Sequence, residues 1–307
     1  NKVEEKGKKR RMDYTLLLIV VLLVVIGLVI LYSTSAYNGQ VKFHDSFYYL
    51  KKQAFATVLG IVLMLFVAGM DYHIWQRLAV FGYLAAVALS VAVMLFGREI
   101  NGSKRWLALG PFSFQPSEFA KVALILFLAN LVTKNVKTIG KMWTLCRIMF
   151  WILPIVGLVG ASNLSTAIII LGIGVILIFV ASPKYAQFAL MGIAGACFMG
   201  IFLALESYRL ERLAIWRNPE KYEKGYQTLQ GLYAIGSGGV FGVGIGNSVQ
   251  KLGFVPEAQN DMIFSIICEE LGLAGAGIIV FLFLLLIWRF FLIASGSRDL
   301  FGALIAT

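Results

Sequence analysis

Long apolar stretches separated by short polar breaks set the pattern of this chain. A helix needs roughly 20 apolar residues to cross a bilayer core. Eight stretches meet or approach that length: 14–32, 50–70, 77–96, 117–133, 147–161, 164–182, 185–205 and 262–290. The fifth and sixth come from one uncharged run, Ile148 to Pro183, too long for one helix and short for two. The segment GASNLST (160–166) is the expected break, because Gly, Ser and Asn favour turns. The last residues, LFGALIAT, read as the start of a ninth span. The pattern therefore predicts an all-α polytopic membrane protein with eight transmembrane helices. It forms one integral membrane domain over 1–307, with a basic N-terminus at 1–13 and one large loop at 206–261. The N-terminus does not read as a cleaved signal: KVEEKGKKRR is basic, but no small-residue cleavage site follows the apolar run.

Lysine and arginine near the spans indicate orientation. A cytoplasmic N-terminus puts KKRR, KNVKTIGKMWTLCR, Lys184, Arg289 and Arg298 inside. Segments 33–49 and 98–115 then become outer loops. Lys51, Lys52, Arg98, Lys104 and Arg105 depart from the rule, and a bound anion is one reason for basic residues in an outer loop. The large loop also falls outside. It begins ESYRLERLAIWRNPEKYEKGYQ, an amphipathic stretch suited to the membrane surface. Loops of this length inside a compact protein are usually functional.

Composition agrees with the membrane reading. The chain is 59% hydrophobic and 14% charged, with a mean hydropathy of +0.82, whereas soluble domains carry about 25% charged residues. Its net charge of +11 is dispersed among particular loops. That suggests topology and anionic partners, not nucleic acid. Cys146, Cys197 and Cys268 show no motif spacing, so neither a disulfide framework nor a metal site is expected. His44 and His73 are isolated and read as polar surface residues.

Three motifs carry candidate chemistry. Glycines at 236, 238, 239, 242, 244 and 246 invite a dinucleotide reading, but Phe241 stands where the third fingerprint glycine belongs. A re-entrant or packed loop with close backbone approach is expected instead. In NGSKRWLALGPFSFQPSEFAK, Pro116 suits a first helical turn, and Glu118 and Lys121 fall one turn apart on one face. Such a pair is either a structural ion pair or the edge of a polar cavity holding a charged substrate. Asp261 stands where the last span begins, a favoured N-cap position. Glu269 is about 12 Å further along a helix and about 80° around from it, placed to line a cavity beneath Asp261. Glu270 points elsewhere and is expected to pair with another helix or the backbone.

Together NGSKRWLALGPFSFQPSEFAK, GYQTLQGLYAIGSGGVFGVGIGNSVQKLGFVPE and NDMIFSIICEELGLAG resemble the SEDS (shape, elongation, division and sporulation) family. These are polytopic peptidoglycan glycosyltransferases of the RodA and FtsW type. The resemblance covers essentially the whole chain and implies ten spans, the last two lying beyond Thr307. It implies polymerisation of lipid II with release of undecaprenyl pyrophosphate, in a bacterial cytoplasmic membrane, beside a class B penicillin-binding protein. The family's essential aspartate matches Asp261, implied to deprotonate the acceptor hydroxyl. Substrate-binding positions are implied within the matching motifs: Lys104, Arg105, Trp106, Glu118, Lys121, Ser237, Gln250, Lys251, Pro256, Glu257 and Glu269. Arg105 and Lys251 are the foremost pyrophosphate candidates; Arg212 and Arg217 read as solvated loop charges. A divalent cation, Mg or Mn, would assist the pyrophosphate. Two departures stand out. Asn163 replaces an acid common in the family, and Met262 replaces the usual Phe after the aspartate. A lipid II flippase and a scaffold for a cell-wall synthase are the competing readings.

Overall fold

The computed structural model describes residues 12–100, 103–109, 112–182, 184, 186–189, 192 and 214–307. Cys197, Arg212 and most of the expected 185–205 span lie outside the described residues. Among the described residues, seven helices are long and apolar enough to cross a membrane. They are α1 (Tyr14–Phe43), α2 (Tyr48–Gly69), α3 (Tyr72–Phe96), α4 (Pro116–Asn135), α5 (Met142–Gly160), α6 (Leu164–Ala181) and α8 (Ile263–Ser295). Two shorter helices are α7 (Tyr226–Ser237) and α9 (Leu300–Ala306). The break at 160–166 is real: Asn163 caps α6, its side chain accepting from the Thr166 N–H at 3.2 Å. Asparagine caps as well as aspartate, so losing the acid there leaves the local fold intact.

Two corrections concern element bounds. α1 continues past residue 32 through YSTSAYNGQVKF, where Ser33 and Asn38 meet partners inside the protein. Segment 98–115 is not a plain loop. It forms an antiparallel meander of β1 (Arg98–Ile100), β2 (Ser103–Leu109) and β3 (Phe112–Phe114). Asn-Gly and Gly-Pro, both turn signals, separate the strands in sequence.

The chain divides into two compact units. One comprises Met70–Phe198 and Phe290–Thr307. Its core holds Leu124, Leu128, Ile148, Ile152, Ile170 and Ile178, all essentially inaccessible. Asp299 ties α9 to the start of α3: its carboxylate accepts from Tyr72 Oη at 2.7 Å and from the Gly302 N–H at 2.6 Å. Burial alone would raise that carboxyl, but these bonds and His73 outweigh it and hold it below the usual range. His73 is more than a surface residue, since its ring bridges Asp71 at 2.7 Å and Asp299 at 3.0 Å.

The other unit comprises Asn1–Gly69 and Met199–Arg289. Ile30 of α1 packs with Ile267, Cys268, Ala276 and Ile279 of α8. α2 buries no residue within the protein, leaving an apolar surface suited to lipid. At one end of α1, Arg289 donates to Asp13, the N-cap residue. Near its other end, Asn38 Nδ2 donates to Gln259 Oε1 at 2.9 Å.

Candidate active-site loop

The segment from α7 to α8 is built around a break in α8. Gly272 adopts φ 67° and ψ −174°, outside the helical region. The break frees backbone groups that the apolar surroundings cannot satisfy. The glycine-rich loop satisfies them. The carbonyls of Glu269 and Glu270 accept from the N–H groups of Val243 and Gly244, both at 2.9 Å. The Leu273 and Ala274 N–H groups donate to the carbonyls of Gly239 and Val240, both at 3.0 Å. A Cβ at Gly242 would overlap the Glu270 carbonyl, and one at Gly272 the Val240 carbonyl. Gly238 and Gly242 thus serve close backbone approach, the packed loop expected from sequence.

Two buried acids sit at this break. Glu270 accepts from Lys251 Nζ at 2.6 Å, with side-chain exposures of 2% and 7%. Ser33 Oγ of α1 lies 2.7 and 2.8 Å from the two Glu270 oxygens and 3.0 Å from Lys251 Nζ. Glu269 accepts from Ser248 Oγ and from the Val249 N–H at 3.1 Å. Glu270 therefore pairs with another helix, as its position suggested. Lys251, expected to face a pyrophosphate, is buried with its charge already neutralised. Glu269, expected to line a cavity, grips the loop instead.

Beyond Lys251 the loop is anchored twice. Val255 and Ala258 are buried with Ala234 and Ile266, and Met262 packs at their edge, over Gly231. Glu257 takes a left-handed φ of 53°, uncommon for a residue with a side chain. Its carboxylate accepts from Asn260 Nδ2 at 2.6 Å. Pro256 is exposed, and its carbonyl accepts from Gln227 Nε2 at 3.3 Å. Ser237 is exposed and donates to the Ala234 carbonyl. The Gln250 Oε1 atom is buried without a partner.

Asp261 follows these anchors and is exposed. α8 begins at Ile263, and its first turn is closed by the Met262 carbonyl, which accepts from the Ser265 and Ile266 N–H groups. Asp261 is therefore not the helix cap. Among the described residues its carboxylate has no hydrogen-bond or ionic partner.

The other unit holds the remaining candidates. Arg105 is exposed on β2 and its Nε donates to the Ser162 carbonyl at 3.0 Å. It borders a small recess with Ser90, Gln115, Ser117 and Asn163. Ser117 Oγ is buried without a partner. The starts of α4 and α6 both line this recess, and helix N-termini favour anions. Trp106 is half-buried beside Arg105; the Lys104 side chain lies outside the described residues. Glu118 and Lys121 form the expected i,i+3 pair at 2.9 Å, the acid 58% exposed. Arg217 is exposed.

Among the described residues, no three His, Cys, Asp or Glu side chains stand close enough to hold a metal ion. Sequence reasoning passed over Ser33, Ser248 and Asp299. Ser33 and Asp299 meet partners more than 200 positions away, and no local pattern marks such residues.

The family model described as cell cycle protein, covering FtsW, RodA and SpoVE, matches residues 14–307. Stage V sporulation protein E of Bacillus subtilis is 38% identical over 312 residues, covering 97% of this chain and 83% of that protein. The probable peptidoglycan glycosyltransferase FtsW of Trichlorobacter lovleyi is 34% identical over 300 residues, covering 96% and 79%. A chain solved under the description "Structural coordination of polymerization and crosslinking by a peptidoglycan synthase complex" superposes with a TM-score of 0.78 at 28% identity, covering 97% and 82%. The rod shape determining protein RodA of Thermus thermophilus superposes with a TM-score of 0.68 at 25% identity, covering 98% and 81%.

Proposed function

Because this multi-pass membrane chain belongs to the FtsW/RodA/SpoVE (SEDS) family of peptidoglycan glycosyltransferases, we propose that it polymerises lipid II with Asp261 as the general base. One observation carries the assignment: Asp261 is an exposed carboxylate engaged by no other described side chain, on a loop anchored by buried groups. The Asp261 carboxylate takes the proton from the 4-hydroxyl of the incoming disaccharide as that oxygen attacks the anomeric carbon of the growing glycan. The bond from that carbon to the pyrophosphate oxygen breaks. Its electron pair leaves with undecaprenyl pyrophosphate. A single displacement inverts the α-linked donor to a β-1,4 product. Pyrophosphate is a good leaving group, so no second carboxyl acid is needed, in contrast with glycoside hydrolysis.

Charge on the departing pyrophosphate needs offsetting. Arg105 is the candidate cation for it, because its guanidinium is exposed beside two helix starts and the unpartnered Ser117 hydroxyl. Lys104, Trp106, Glu118, Lys121, Ser237, Gln250, Pro256 and Glu257 complete the proposed substrate contacts. A magnesium or manganese ion, when bound, would add further charge compensation at the pyrophosphate. The N-terminus is cytoplasmic in a bacterial inner membrane, and the working partner is a class B penicillin-binding transpeptidase.

The test is a polymerisation assay on the full-length protein with its partner and labelled lipid II in detergent. Native protein should form glycan polymer, and Asp261→Asn should lose it while keeping its thermal unfolding profile. Polymer formed equally by Asp261→Asn would overturn the assignment. Detergent removes any bilayer asymmetry, so polymer formation also separates an enzyme from a flippase.

A further inference from the structure

Two adjacent glutamates on a helix leave it about 100° apart. Here both nevertheless end on the same short segment, residues 248–251. Glu269 holds Ser248 and the Val249 N–H, while Glu270 holds Lys251. The segment folds onto itself to allow this: the Lys251 N–H donates to Ser248 Oγ at 3.2 Å, the Leu252 N–H to the Val249 carbonyl at 3.1 Å, and the Val255 N–H to the Gln250 carbonyl at 2.9 Å. Ser33 of α1 closes the cluster from the opposite side. From this seat the chain runs through buried Val255 and Ala258 to Asp261.

A buried ion pair contributes little to stability beyond what a packed apolar pair would give. What it adds is a unique fit, because the ammonium of Lys251 is satisfied only in one register against Glu270 and Ser33. Deepening the glycosyltransferase reading on which it rests, we infer that Glu269, Glu270, Lys251, Ser248 and Ser33 are positioning residues. They act through segment 248–251 to hold the Asp261 carboxylate in place, and Lys251 does not touch the pyrophosphate.

The test uses the full-length protein with its partner and lipid II. Lys251→Met/Glu270→Met removes both charges together and leaves neither stranded. It should unfold near the native temperature. Its kcat should fall about 10²-fold, the scale of a slight misplacement of a reacting group, with KM little changed. Backbone amides of 252–261 should exchange hydrogen faster, and those of α4 should not. Ser248→Ala, a smaller change, should show the same signature at reduced size and serves if the double variant does not fold. The charge swap Lys251→Glu/Glu270→Lys should recover part of kcat. Unchanged exchange over 252–261, or a raised KM with kcat intact, would overturn the inference; the latter would place Lys251 on the substrate. The exchange readout needs no activity. A failed Asp261→Asn prediction would therefore sink the catalytic reading and leave this one separately testable.

Discussion

Lys251 and Glu270 show what one buried charge requires of its neighbours. With Lys251→Met alone, Glu270 would keep only the Ser33 hydroxyl in a site of 2% exposure. Stranding a buried charge in this way costs roughly 3–5 kcal/mol. The double methionine variant should recover most of that loss, because it removes the charge together with its partner. Thermal unfolding of the two variants beside the native protein measures the difference. Asp13 presents the milder, solvent-accessible case. The Leu16 N–H is the largest influence on its carboxyl; with help from Arg289 it outweighs the upward push of burial and holds the group below the ordinary value. A depressed carboxyl stabilises the fold above its unfolded pKa, and that contribution is lost as pH falls through the folded value. Asp13→Ala should therefore cost about 1 kcal/mol at neutral pH, the usual loss of a cap. The gap from native should begin to narrow as the pH falls through about 4 and close only below the lower, folded value.

Among elements, the interlock at the α8 break is the most demanding. Gly272 combines a positive φ with a neighbouring carbonyl where a Cβ would sit. Gly272→Ala should destabilise the protein by at least 1–3 kcal/mol, the range for such backbone strain, and loosen both the glycine-rich loop and the loop bearing Asp261. Unfolding temperature and proteolysis within 238–262 check this. Nothing in hydropathy reveals the break, since ELGLAGAG reads as one apolar helix. What was legible follows the same logic. Apolar length located seven membrane-length helices, and Gly, Ser and Asn located the α5–α6 turn, because both signals are local. Where α1 ends was not legible, because its polar final turns are stabilised by Glu270, Lys251 and Gln259, far away in the chain. The Glu118–Lys121 pair was readable from i,i+3 spacing. The Lys251–Glu270 pair was not, since a folded loop and not a helical repeat brings it together. Asp261 was picked out by its motif, while its freedom from the helix cap depends on where α8 starts, a boundary that one residue decides.

Across the whole molecule, the proposed cytoplasmic N-terminus sets which side Asp261 faces. α1 spans about 45 Å at 1.5 Å per residue, enough to cross a bilayer. Asp13 and Arg289 mark one end, and the Asn38–Gln259 bond marks the opposite end, close to Asp261. In the other unit, Lys134 lies in the last turn of α4, Lys137 and Lys141 follow it, and the Lys184 side chain lies over Gly140. Arg105 and the β meander adjoin the start of α4 instead. Positive charge clusters on cytoplasmic faces; the proposed orientation turns the lysine-rich end of that unit inward and, with the N-terminus cytoplasmic, the Asp261 loop of the other unit outward. In a cysteine-free background, Asn260→Cys should react with a membrane-impermeant maleimide in intact protoplasts. Lys137→Cys should react only after the membrane is permeabilised. The reverse pattern would put Asp261 on the cytoplasmic side, away from any acceptor that reaches the enzyme from the outer leaflet. Polymerisation by Asp261 outside the cell would then be physically impossible, however well the isolated protein worked in detergent.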